Sequence, residues 1–189
     1  MSEIFISADI EADGRVPGIN SMISLGSVAF RVGASGYEQI STFEANLLEL
    51  EGAVQDEEVM AWWQKFPDAW ERCRLNAQPP EDVMRRYLAW IKSLPGPAGL
   101  VAYPGSFDFM FIYWYLYALT RQRPFTAAAL CVKTYAMSML KHPSWLKFER
   151  KLIPEKYLSA HPHDHTPLND SIEQAQIFAA LYYDNVIGR

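Results

Sequence analysis

The chain has 189 residues, half of them hydrophobic, and a formal charge of −5 from 17 Lys and Arg against 22 Asp and Glu. That composition excludes a disordered polymer, and the acidic excess excludes tight, non-specific duplex binding through a broadly basic surface. The length suits one domain, 1–189, with its own core.

Cys73 and Cys131 stand far apart, which reads as reduced, mostly buried thiols. The N-terminus shows no basic-then-apolar leader pattern. The longest apolar run, 107–119, is too short to span a bilayer and contains Asp108. A soluble, cytoplasmic protein with no membrane partner is the expectation. The 6 Trp, 10 Tyr and 10 Phe are too many to bury completely, and exposed rings suit base stacking or a protein partner.

In chain order, 4–11 reads as a strand of β-branched and aromatic residues, ended by Ala12-Asp13-Gly14. Alternation puts Ile4, Ile6, Ala8 and Ile10 on one face and Phe5, Ser7, Asp9 and Glu11 on the other. A loop rich in turn residues covers 13–20. A second strand is expected at 22–32, with Gly26 as a candidate bulge, and a third, nearer an edge, at 37–46. Short turns between them suggest an antiparallel meander. Helices are expected next at 56–65, 67–75 and 81–93, the second with Pro at its start. A short buried strand at 100–103 leads to an apolar helix at 107–120. A last short strand at 129–133 leads to a helix at 134–140. Residues 141–165 look irregular, and 169–185 form the final helix. This order implies an α/β fold: a mixed sheet of about five strands, helices on both faces, later strands parallel to the first.

Chemistry concentrates at few positions. Asp9 and Glu11 share a strand face, about 7 Å apart along the backbone. Two such carboxylates repel unless a positive charge lies between them, and a hard divalent cation with oxygen ligands is the natural partner. Asp108 has two readings: a helix cap, a role Ser106 can fill alone, or a further ligand at the sheet end that carries Asp9. Asp170 fits a capping box with Glu173. His161, His163 and His165 alternate along a proline-rich loop, as surface histidines or as a zinc site.

Asp9-Ile10-Glu11, then Phe107-Asp108, then His165-Thr-Pro-Leu-Asn-Asp170 resemble, in order and separation, the motifs of the DEDDh 3′→5′ exonucleases. That family includes ribonuclease T, oligoribonuclease and the proofreading subunit of bacterial DNA polymerase III. The resemblance covers nearly the whole chain and implies a ribonuclease H-like fold. It implies two divalent ions, Mg²⁺ or Mn²⁺, held by Asp9, Glu11, Asp108 and Asp170, with His165 as general base. It also implies contacts to the terminal nucleotide from the main chain at Ala12 and from aromatic rings, here Trp62, Trp63 or Phe107. Adjacent helical positions diverge by about 100°, so both tryptophans are not expected in the core. Two departures stand out. Ala12 replaces a frequent Thr, and Pro104-Gly105-Ser106 replaces a frequent His-Asn before the second motif. Both bear on substrate grip. The implied activity removes mononucleotides from single-stranded RNA or DNA 3′ ends. RNA is favoured, because a small stand-alone chain resembles the RNA-processing members. Many relatives are homodimers, which makes a homodimer an expectation. The alternative is a catalytically silent nucleic-acid-binding or interaction module on the same fold; a zinc protein built on the 161–165 loop is a third option.

Overall fold

The computed structural model describes residues 3–188. Its sheet has five strands in the order β3-β2-β1-β4-β5. They are β1 (Ile4–Ala12), β2 (Met22–Gly33), β3 (Gly36–Asn46), β4 (Ala98–Ala102) and β5 (Leu130–Cys131). The first three form the expected antiparallel meander, with β3 at the edge; β4 and β5 run parallel to β1. The helices are α1 (Glu57–Trp63), α2 (Pro67–Arg72), α3 (Pro80–Ser93), α4 (Gly105–Thr120), α5 (Val132–Met139) and α6 (Pro167–Tyr182).

Strand alternation divides the core. Ile4, Ile6, Ala8 and Ile10 pack under α3 and α4 with Met84, Tyr87, Phe111 and Tyr115. Phe5, on the opposite face, meets Phe30 and Phe178 in a layer covered by α5 and α6. The Phe5–Phe178 ring centroids are 5.1 Å apart in an edge-on contact. Such pairs stabilise by about 0.5–1.5 kcal/mol beyond the area they bury. Local chemistry sets the helix ends. The Asp56 carboxylate accepts from the N–H groups of Glu58 and Val59, which satisfies two otherwise orphaned donors of α1. Prolines start α2, α3 and α6, where a missing N–H costs nothing.

Several expectations are corrected. Gly26 is no bulge: β1 and β2 stay in register there, with Asp9 opposite Gly26. A Cβ at Gly26 would lie 2.1 Å from Leu168 N and 2.2 Å from the Pro167 carbonyl carbon. The glycine therefore lets the first turn of α6 rest directly on β2. β5 is only two residues long, and α5 begins immediately after it. Ser106 does not cap α4, which starts after Pro104 with no side-chain cap. The Asp170 capping box does not form either; α6 begins after Thr166, also without a side-chain cap.

Candidate active site

Asp9 and Glu11 sit near the end of β1, on the face covered by α6. Because Gly26 admits the start of α6 so closely, Asp170 in its first turn meets them. Ligand oxygens of Asp9, Glu11 and Asp170 lie within 4.8 Å of one another. Asp108 comes from the other layer, in the first turn of α4. The β1–β4 ladder stops at Ser7–Val101. Past that point the Ile10 N–H donates instead to Asp108 Oδ1, at 3.1 Å. The capping reading of Asp108 is thus replaced by a bond that ties α4 to the open edge of β1 between Asp9 and Glu11. Asp108 Oδ2 is buried with no hydrogen-bond partner.

The electrostatics are those of a site built for positive charge. Burial, then the charges of Asp108, Glu11 and Asp170, push the Asp9 carboxyl well above its usual range. Burial and the charges of Asp170 and Asp108 do the same to Glu11. Burial pushes Asp108 up to about 7, against the opposing Ile10 hydrogen bond. Burial also raises Asp170, opposed by His163. Four carboxyls raised by burial, two of them also by their neighbours' charge and one with an orphaned buried oxygen, fit hard divalent cations.

The loop before α6 supplies histidines. His165 adopts a left-handed backbone, φ +57°, uncommon for a residue with a side chain. Its ring lies edge-on to Trp62 with centroids 5.3 Å apart and 4.7 Å from Phe66. Its partner in the alternation, His163, places Nδ1 3.3 Å from Asp170 Oδ1 and 3.3 Å from Glu173 Oε2. Ring nitrogens of both histidines fall within 4.8 Å of an Asp170 oxygen. His161 turns away to Asn169. The loop is anchored at Asp164, whose N–H donates to Asp170 Oδ1 and whose carbonyl accepts from Arg72 of α2.

The two adjacent tryptophans separate, as their positions on α1 require. Trp63 is buried, and its Nε1–H donates to the Ala12 carbonyl at 3.0 Å, fixing the end of β1. Trp62 is 37% exposed and faces the His165 ring. Phe107 is half-buried against Phe111.

Two residues beyond the motif residues belong to the site. Gln174 Nε2 donates to Asp9 Oδ1 at 2.8 Å, while its Oε1 accepts from the Tyr103 N–H at 3.0 Å. One buried amide thereby holds Asp9 against α6 and the end of β4. Glu173 pairs with Arg150, in a 3-10 turn at Arg150–Leu152, instead of reaching the helix start. The available signal was spacing: Glu173 and Gln174 lie three and four residues beyond Asp170, on its side of the helix.

No protein-family model matches the chain. Over 187 residues it is 28% identical to the 3′-5′ DNA exonuclease Cap18 of Escherichia coli, covering 95% of this chain and 91% of that protein. The fold resembles the nuclease domain of 3′hExo, a DEDDh family member solved with rAMP. That match has a TM-score of 0.68 and 15% identity, covering 98% of this chain and 94% of the other. It also resembles E. coli exonuclease I in complex with a dA13 oligonucleotide, with a TM-score of 0.62 and 13% identity over 96% of this chain and 40% of the other. The five-stranded mixed sheet with its helices is a ribonuclease H-like fold, the architecture of these exonuclease structures. Together with the full-length relative, it makes this chain similar to the DEDDh-type 3′→5′ exonucleases. Exonuclease action on nucleic acid is the activity this similarity supports. No helix among the described residues is long and apolar enough to cross a membrane.

Proposed function

We propose that the protein hydrolyses the terminal phosphodiester of single-stranded 3′ ends, with Asp9, Glu11, Asp108 and Asp170 holding two divalent ions, Mg²⁺ or Mn²⁺. The observation that carries this is the meeting of Asp9, Glu11 and Asp170 oxygens within 4.8 Å, with all three carboxyls raised. Such ions, when bound, activate water and stabilise charge on the phosphate and the departing oxygen.

The chain's own residues do the rest. Neutral His165 accepts the proton that the attacking water loses as the new P–O bond forms. The P–O3′ bond breaks, releasing a nucleoside 5′-monophosphate; O3′ takes a proton from solvent to become the 3′-hydroxyl of the shortened strand, and His165 returns its proton to solvent. Trp62 presents its ring beside His165, where the terminal base can stack. Ala12 and Phe107 bound the same end of the sheet. Trp63 supports the terminal nucleotide indirectly, by fixing the Ala12 carbonyl. Gln174 keeps the Asp9 carboxylate turned towards Asp170.

DNA is the first substrate reading, supported by the relative that matches 95% of this chain. RNA, the expectation from chain size, is the second, supported by a neighbour of the same fold, a 3′-exonuclease that recognises a histone mRNA stem-loop. The test compares wild type and Asp9→Ala on matched 5′-labelled single-stranded DNA and RNA, with Mn²⁺, Mg²⁺ or EDTA. A ladder shortening from the 3′ end, absent in the variant and in EDTA, is expected, and the rate ratio assigns the sugar. No ladder on either strand would move the assignment to a silent binding module. Stoichiometric zinc in the purified protein would favour occupation of His163, His165 and Asp170 instead.

A further inference from the structure

The two segments that touch the loop before α6 differ in charge, one meeting His165 through Trp62 and Phe66 and the other meeting His163 through Arg150. Residues 47–72, which include α1 and α2, hold seven acidic residues against one lysine and one arginine; residues 133–151 hold five Lys or Arg and one glutamate. The second segment is thus basic in a protein whose net charge is −5. It lies at the end of the sheet that carries Asp9. β5 runs parallel to β1 and β4, and α5 starts at its C-terminal end, beside the start of α4. A Cβ on Gly105 of α4 would lie 2.9 Å from Cys131 Cα.

The segment also exposes apolar surface. Trp145 is 48% and Leu146 83% exposed. The indole is fixed rather than loose: Nε1–H donates to Thr134 Oγ1 at 3.1 Å, and Lys133 Nζ stands 4.5 Å from the ring centroid. Contact with the site is continuous. Arg150 of this segment pairs with Glu173 and lies 3.2 Å from His163 Nδ1, and His163 touches Asp170.

Resting on the function proposed above, we propose that Lys133, Trp145, Lys147 and Lys151 form a track for the single strand that extends in the 5′ direction from the nucleotide being removed. A strand carries one phosphate per nucleotide, so the acidic α1–α2 segment repels it and the basic segment attracts it. A held indole with Lys133 beside its ring is a surface on which a base stacks without sequence preference, and Lys151, exposed and paired only with Glu149, stays within reach of a phosphate. The α1–α2 side contributes Trp62 to the terminal nucleotide; the α5 side carries the nucleotides on its 5′ side.

The test is a length comparison on wild type, Lys147→Glu/Lys151→Glu and Trp145→Ala. Substrates are a dinucleotide and a 12-nucleotide strand of oligo-dT, with an oligo-U pair as the RNA arm. For the double variant, kcat/KM on the 12-mer should fall about tenfold or more, with a shallower salt dependence, because two phosphate contacts at a slope of about 0.7 each are lost. Trp145→Ala should weaken the 12-mer by about fivefold or more, from loss of one stacked base. Both variants should leave dinucleotide turnover unchanged. Equal losses at both lengths, or unchanged 12-mer kinetics, would overturn the track. Fluorescence anisotropy of the labelled 12-mer in EDTA reads the same contacts without cleavage. A wild type that binds but cleaves neither length would therefore refute the exonuclease reading, while the variants' binding still decides this one.

Discussion

Replacing Asp108 with asparagine should stabilise the metal-free protein while crippling it as an enzyme. Asp108 is 3% exposed, and burial pushes its carboxyl from 3.8 up to about 7. The folded state therefore holds this proton more tightly than the unfolded chain does. Its stabilising effect is full below about pH 4, is lost as pH climbs from there to about 7, and leaves a buried charge above that. A difference of about 3 pH units, at about 1.4 kcal/mol each, amounts to about 4 kcal/mol at pH 8. Asparagine keeps an oxygen for the Ile10 N–H and removes the charge. For a domain of this size, 1 kcal/mol moves the melting temperature by about 2–4 °C, so the variant should melt about 8–16 °C higher than wild type at pH 8. The assay is thermal unfolding by circular dichroism in EDTA at pH 8 and pH 5. The gap should shrink at pH 5, where wild-type Asp108 is protonated. Saturating Mn²⁺ at pH 8 should raise the wild-type melting temperature more than the variant's. An Asp108→Asn protein that melts at or below wild type in EDTA at pH 8 would refute this account of the site.

The remaining expectations concern how the site is held. Gly26→Ala forces a Cβ against the backbone of Pro167 and Leu168. It should cost about 1–3 kcal/mol in thermal unfolding and displace Asp170, with activity falling about a hundredfold if the shift reaches about 1 Å; wild-type activity would show that α6 does not need this close approach. Gln174→Ala should weaken Mn²⁺ binding about 10–100-fold by calorimetry through loss of the bond to Asp9, and unaltered affinity would remove Gln174 from the site. His165→Ala should lose most turnover while keeping Mn²⁺ affinity and fold, whereas His163→Ala should retain more activity. The reverse order would make His163, which touches Asp170, the base.

The periodic parts of this fold were legible in the sequence, and the contacts between layers were not. Alternation in β1 put Asp9 and Glu11 on one face and the isoleucines on the other, and both faces pack as that pattern requires. Divergence of Trp62 and Trp63 on α1 followed from helical geometry in the same way. Local rules failed where tertiary packing competes with them. Ser106 and the Asp170–Glu173 pair have good capping chemistry, but Glu173 is drawn to Arg150, from a segment without regular periodicity. Gly26 carries the mark of a bulge in sequence, and only the position of α6 shows that the missing side chain makes room for another backbone. The meeting of Asp108 with β1 likewise depends on the ladder to β4 stopping at Ser7, a register that no single strand encodes.

These failures share a cause that bears on function. The acidic residues come from three separate elements, β1, α4 and α6, and each is brought in by a contact that ignores local propensity. Asp170 arrives because Gly26 has no side chain, Asp108 because the Ile10 N–H has lost its strand partner, and Asp9 is turned by an amide from α6 that also holds the end of β4. Folding thus assembles mutually repelling carboxylates in a partly closed site, and the aromatic layers on either side of β1 must offset that repulsion. The strain is useful only if a cation relieves it. Metal affinity and metal-free instability should therefore rise and fall together across variants of these residues. Variants that relieve the repulsion, such as Asp108→Asn, should gain stability in EDTA in proportion to the Mn²⁺ affinity they lose. Gln174→Ala should break that proportion, because it loosens a ligand without removing a charge.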